Sequence, residues 1–141
     1  MSECITFNFD VDGENFLSAG QASVQVKKNL RELGLPPEII RNISIAMYEG
    51  EINMVIHAGG GKATVTVDEN CVTIVLADHG PGIKDIKLAM QEGYSTATDR
   101  IRSLGFGAGM GLPNMKRYTD EMVIDSVVGE GTTITMKVNL Q

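Results

Sequence analysis

In the run Ile45-Ala46-Met47-Tyr48-Glu49-Gly50-Glu51-Ile52-Asn53-Met54-Val55-Ile56-His57, the polar residues Glu49, Asn53 and His57 stand four apart within a mostly apolar stretch. Pro36-Pro37 upstream and Gly59-Gly60-Gly61 downstream are start and stop signals, so the run reads as one helix ending near Ala58. At that spacing the three polar residues line one side of the helix. Ile45, Ile52 and Ile56 fall on one flank of the stripe, and Ala46, Ile43 and Met54 on the other. The solvent face is expected around Arg41, Ser44, Tyr48 and Glu51. Glu49 and Asn53 therefore belong inside the apolar arc, where an unpaired polar group costs several kcal/mol. They are separated by about 6 Å along the axis. Two readings compete: a metal-binding amide beside a base that polarises a hydroxyl or water near a phosphate, or a hydrogen-bond network tying helix to sheet. His57 reads as a packing histidine. A zinc site is not indicated, with no H-E-x-x-H motif and only one other histidine, His79.

Strands surround this helix. Ile5, Phe7, Phe9 and Val11 alternate with polar residues, as in a half-buried strand. Glu14 to Leu33 reads as a helix with Phe16, Val24, Leu30 and Leu33 as its apolar positions, stopped by Gly34. Ala63–Asp68 and Cys71–Ala77 form a hairpin across Glu69-Asn70. A short helix is expected from Ile83 to about Gln91 and a glycine-, serine- and threonine-rich loop from Glu92 to Gly111. A helix from about Gly111 to Tyr118 and strands Met122–Val127 and Thr132–Leu140 complete the chain. This order predicts an α/β (α+β) two-layer sandwich, with a mixed, mostly antiparallel sheet and helices on one face. Residues 1–141 are expected to be one unit.

With 141 residues, 43% of them apolar, the chain can build a core. A net charge of −6 argues against nucleic acid or an anionic membrane as partner, since both call for a basic surface. No apolar run reaches the roughly 20 residues of a membrane span, and MSECITFNFD lacks a signal-peptide start. A cytoplasmic location is expected. Cys4 and Cys71 are too few for a disulfide framework and read as reduced packing residues.

Three glycine clusters lie beyond the central helix. Asp78 shares the inward parity of Val72, Ile74 and Leu76 and is followed by His79-Gly80-Pro81-Gly82. An acidic acceptor at the mouth of an apolar pocket suits an exocyclic amino group such as adenine's, while an ordinary Asp-initiated turn explains the same residues. Gly105-Phe106-Gly107-Ala108-Gly109-Met110-Gly111 leads into a helix beginning Leu112-Pro113-Asn114, with Lys116 and Arg117 one turn on. Glycines before a helix start expose N–H groups that suit an anion. The standard phosphate loops fail: Ile56 and Ala63 break G-x-x-x-x-G-K-[ST], and Leu112 breaks G-x-G-x-x-G. Gly129-Glu130-Gly131-Thr132 reads alone as a hairpin turn, but Thr132 has the inward parity of Ile134 and Met136.

In this order, E-x-x-x-N-x-x-x-H, D-x-G-x-G, G-x-G-x-G and G-x-G-T resemble the boxes of the GHKL (Bergerat-fold) ATPase superfamily over essentially the whole chain. Glu92-Gly93-Tyr94-Ser95-Thr96 and the Gly105–Arg117 segment resemble its anti-sigma-factor serine/threonine kinases of the switch-kinase type. The resemblance implies a histidine-kinase-like ATPase fold and an ATP- and Mg²⁺-dependent enzyme. Glu49 would be the general base, and Asn53 would hold Mg²⁺ at the ATP phosphates. Asp78 would bond the adenine amino group, with Gly80 and Gly82 shaping the purine pocket. Residues 92–111 would be the ATP lid, with Gly107, Gly109, Met110, Gly111 and Leu112 among the nucleotide-binding residues. Thr132 would help fix adenine through water. Arg100, Arg102, Lys116 and Arg117 are candidates for stabilising transferring charge. The commonest version of the helix motif has Ala after Glu, where this chain has Gly50.

The implied function is a protein kinase that phosphorylates a Ser or Thr of a small STAS-type anti-anti-sigma partner, with sigma factors or phosphatases as further partners and room for a homodimer. The alternatives are a nucleotide-dependent binding module without phosphoryl transfer and a detached histidine-kinase catalytic domain.

Overall fold

The computed structural model describes residues 4–13, 20–91 and 111–140. In chain order these form β1 (Ile5–Asp12), α1 (Gln21–Glu32), α2 (Pro37–Ala58), β2 (Gly60–Val67), β3 (Cys71–Ala77), α3 (Ile86–Ala89), α4 (Gly111–Arg117), β4 (Glu121–Val127) and β5 (Gly131–Asn139). The strands make one five-stranded sheet in the order β1-β2-β3-β5-β4, and each neighbouring pair is antiparallel. The last crossover places β5 between β3 and β4, so the start of β5 lies beside the end of β3.

The helices cover one face. The inward positions alternate as the period of a strand demands: Ala63, Val65 and Val67; Val72, Ile74 and Leu76; Ile134, Met136 and Val138 are all buried. They meet Ile43, Ala46, Met47, Met54 and Val55 of α2, Val26 and Leu30 of α1, and Leu112 and Met115 of α4 in one core. The central helix α2 begins on Pro37 and is closed by Gly59 in the left-handed region, as its flanking residues predict.

Three expectations need correction. In α1 the buried residues are Ala22, Ser23, Val26 and Leu30, whereas Val24 is 70% and Leu33 40% exposed. Val24 stands two residues from both Ala22 and Val26, about 200° around the helix, so it must face water if they face the core. Residues 14–19 of the expected helix lie outside the described residues. Cys4 is exposed and Cys71 half-buried, so packing does not describe Cys4. Finally, Glu51, expected on the solvent face, is only 3% exposed.

Glu51 lies under the start of α1. Its Oε2 accepts from the N–H groups of Gly20 at 2.7 Å and Ala22 at 3.2 Å. Its Oε1 accepts from Ser23 N–H at 3.0 Å and from Ser23 Oγ–H at 2.8 Å. Gly20, the residue at the N-cap, has no side chain for this task, so a carboxylate from the neighbouring helix satisfies amides that the helix cannot satisfy itself. Gly50 next to it has a packing reason: a Cβ there would overlap Leu76 Cδ1 and stand 3.1 Å from Met115 Cε. The helix-weakening glycine lets α2 lie close against β3 and α4.

Candidate functional site

Glu49 and Asn53 occupy successive turns of α2 and are both half-buried. Among the described residues no hydrogen bond or ion pair engages the Glu49 carboxylate or the Asn53 amide. That disposes of the helix-to-sheet network for this pair as far as those residues go; the α2 residue that builds a buried network is Glu51, and it ties α2 to the start of α1. The first residue of α4 sits directly on Asn53: a Cβ at Gly111 would lie 3.0 Å from Asn53 Oδ1 and 3.2 Å from Nδ2. Only a glycine leaves the amide uncrowded.

The turn after β3 rests against the end of the same helix. A Cβ at Gly80 would be 2.6 Å from Ala58 Cβ and 2.7 Å from its Cα. Ala58 follows Asn53 by five residues, about 7.5 Å along the axis. Glu49, Asn53 and the 78–82 turn are thus ordered along the axis of α2, with the turn at its C-terminal end. Gly82 adopts φ +79, and a Cβ on it would press on the Val127 carbonyl at 2.6 Å, so both conformation and space call for glycine.

Asp78 points inward, as its parity predicts. Its Oδ1 accepts from Gly80 N–H at 3.0 Å and Thr132 N–H at 3.1 Å, while its own N–H donates to the Thr132 carbonyl at 2.9 Å. Among the described residues, Oδ2 takes part in no hydrogen bond. Thr132 is 7% exposed, again on the face its parity predicts. Its Oγ1 lies 2.9 Å from Ser126 Oγ, which accepts the Ile83 N–H at 2.7 Å. Gly129 N–H donates to the Pro81 carbonyl at 2.9 Å. The 78–83 turn is thereby fastened to the β4–β5 hairpin. Sequence reasoning missed Ser126, although it shares the inward parity of Met122 and Ile124.

The other candidates divide. Leu112 is buried and its side chain belongs to the core, so a ligand would meet only its backbone. Lys116 and Arg117 are exposed on α4. Gly107, Gly109, Met110, Arg100 and Arg102, with residues 92–110 of the expected lid, lie outside the described residues. Among the described residues no three His, Cys, Asp or Glu side chains gather to hold a metal ion, and no helix is long and apolar enough to cross a membrane.

His57 is half-buried one turn beyond Asn53, and desolvation lowers its pKa from 6.5. The unfolded chain therefore takes up a proton near pH 6.5 that the folded chain accepts only at lower pH. This group contributes no slope above that range, and stability falls as pH drops from 6.5 through the folded pKa. The thermal midpoint is expected to fall between about pH 7.5 and about pH 5.5, and His57→Gln is expected to flatten that part of the curve. An identical slope in the variant would assign the effect to other groups.

The arrangement agrees with comparisons to known proteins. The description of the histidine kinase-like ATPase domain matches residues 18–138. The serine/threonine-protein kinase RsbT of Bacillus subtilis is 35% identical over 118 residues, covering 80% of this chain and 83% of its own. An anti-sigma F factor of Clostridium novyi is 33% identical over 136 residues, covering 89% and 92%. Among solved structures, the RsbU and RsbW domains of a Mycobacterium tuberculosis protein align with a TM-score of 0.66 at 18% identity. That alignment spans 96% of this chain and 32% of the other, and it speaks to the fold. With Glu49 and Asn53 on α2, the 78–82 turn at the end of that helix and an antiparallel sheet beneath it, the chain belongs to the histidine kinase-like ATPase domain family.

Proposed function

We propose that this chain is a Mg-ATP-dependent serine/threonine protein kinase acting as an anti-sigma or switch regulatory factor on a small STAS-type protein. The observation that carries the reading is the pair Glu49 and Asn53, half-buried on successive turns, without a hydrogen-bonding partner among the described residues, and with Gly111 opening space over the amide. A carboxylate and an amide so placed have kept their bonding capacity for something else. The names of the relatives, a serine/threonine kinase and an anti-sigma factor, agree with this direction.

The residues fit a purine triphosphate laid along α2. Asp78 Oδ2 accepts the adenine amino group, Thr132 faces the same edge, and Gly80 and Gly82 keep the turn tight against its neighbours. Asn53 stands toward the phosphates with the backbone of Gly111 beside it. Gly107, Gly109 and Met110 are proposed to contact the nucleotide with them. Asn53 Oδ1 would hold Mg²⁺ there, and the ion would supply charge neutralisation. Glu49, one turn toward the N-terminus, takes the proton of the attacking Ser or Thr hydroxyl.

Labelled ATP incubated with the protein and a STAS-domain partner is expected to leave acid-stable phosphate on the partner, lost in Asn53→Ala. Acid-labile phosphate would indicate a histidine-kinase catalytic domain. A Mg-ATP-dependent complex without any transfer would identify a binding module. Partners among sigma factors or phosphatases, a homodimer and a cytoplasmic location belong to the same proposal.

A further inference from the structure

Ser126 has no part in the chemistry above, yet it is bonded to Thr132, whose hydroxyl the ATP reading sets toward the base. We propose that Ser126 is a specificity-determining positioning residue: it commits the Thr132 hydroxyl to donate toward the purine, and so selects adenine over a 6-oxopurine. The inference rests on the ATP reading above.

The inferred direction rests on the lengths of the contacts that Ser126 makes. Ser126 Oγ already accepts the Ile83 N–H at 2.7 Å. Its single proton has two acceptors in reach, Thr132 Oγ1 at 2.9 Å and the Gly131 carbonyl at 3.4 Å. O–H···O bonds run from about 2.5 to 3.0 Å, so the inferred arrangement has Ser126 donating to Thr132 over the shorter contact, in a pair whose geometry allows either hydroxyl to donate. Thr132 Oγ1 is then an acceptor within the protein, and its own proton is left over. Among the described residues no other acceptor takes it.

Thr132 N–H is bonded to Asp78 Oδ1, which also takes Gly80 N–H, leaving Oδ2 to accept. The ends of β3 and β5 thus present an acceptor, Asp78 Oδ2, beside an outward donor, Thr132 O–H. Adenine offers the complement: an amino donor at C6 next to an acceptor nitrogen, N1. Hypoxanthine and guanine offer the reverse, a carbonyl at C6 and a protonated N1. The Thr132 proton goes to N1, or to a water that itself donates to N1. Without Ser126 the Thr132 hydroxyl could turn and accept. Ser126 acts through Thr132, and its hold on Ile83 keeps the 78–83 turn beside both.

Calorimetric dissociation constants for Mg-ATP and Mg-ITP, which differ at C6 and in N1 protonation, test this. The wild-type protein is expected to prefer ATP. In Ser126→Ala the ATP/ITP ratio is expected to fall by about tenfold, mainly through tighter ITP binding. Ser126→Thr, which keeps a hydroxyl, is expected to preserve the ratio. If both nucleotides weaken together in Ser126→Ala and the ratio stays, Ser126 only clamps the turn, and the proposal is overturned. A measurement on the wild-type chain needs no variant to fold: 1-deaza-ATP, with C–H in place of N1, is expected to bind about tenfold more weakly than ATP. Equal affinity would overturn the proposal while leaving the ATP reading intact. A wild-type protein that binds no ATP removes that reading, and this inference with it.

Discussion

Replacing Glu51 by alanine is expected to lower the folding stability by about 3 kcal/mol and the thermal midpoint by roughly 10 °C. The carboxylate is 3% exposed and accepts three backbone N–H groups and the Ser23 hydroxyl. A hydrogen bond to a charged group contributes about 1.5–3 kcal/mol, though bonds to one carboxylate do not add independently. Removing the acceptor also leaves three amide donors buried at the start of α1, where an ordinary N-cap loss alone costs about 1 kcal/mol. Against a total of about 5–15 kcal/mol the change is large. Glu51→Gln keeps one oxygen but turns an amide N–H toward donors, so about half the loss is expected. Urea unfolding with an unchanged slope checks both values. A loss under about 1 kcal/mol in Glu51→Ala would mean that α1 is held by its apolar contacts alone.

Glu51 also shows where sequence reading stops. At about 100° per residue it lies about 40° from Met47, and Val55 lies about 80° from Met47 on the same side. All three are buried. A reading centred on the polar stripe of Glu49, Asn53 and His57 rotates the helix and pushes Glu51 into water, since a charged side chain between core positions looks like an error. Its reason is tertiary: the start of α1 lacks a capping side chain, and that need is invisible from α2. The boundaries of α2 were legible because Pro37 and Gly59 act locally on the backbone. The inward faces of Asp78 and Thr132 were legible because strand parity is rigid. Gly50 looked like a weak residue until Leu76, a distant part of the chain, was seen to occupy the space of its missing Cβ. Ser126 was within reach of parity, but its importance depends on the register that sets it opposite Thr132, and pairing partners cannot be read from one strand.

Glu49→Gln is expected to reduce phosphoryl transfer to the partner by about 10² to 10⁴-fold while leaving the dissociation constant for Mg-ATP within about twofold. The asymmetry follows from position. Glu49 stands one turn beyond Asn53, on the far side from Asp78 and the Gly80 turn that would hold the base. It is therefore remote from the proposed adenine pocket and without a structural bond among the described residues to lose. Glutamine keeps its size and removes only its ability to take a proton, so folding and nucleotide binding have no reason to change. Asn53→Ala should behave differently, because an amide serving the metal contributes to the ground state as well as to transfer; affinity for ATP should drop in the presence of magnesium and hardly without it. The two variants separate the roles that four residues of helix assign. Transfer unaffected by Glu49→Gln would remove the base assignment, since phosphoryl transfer can proceed on positioning and charge neutralisation alone. Control of the partner that survives Glu49→Gln but is lost in Asn53→Ala, with no phosphate transferred by the wild-type chain, would mean that the chain works by nucleotide-dependent binding, with the carboxylate a bystander beside the site.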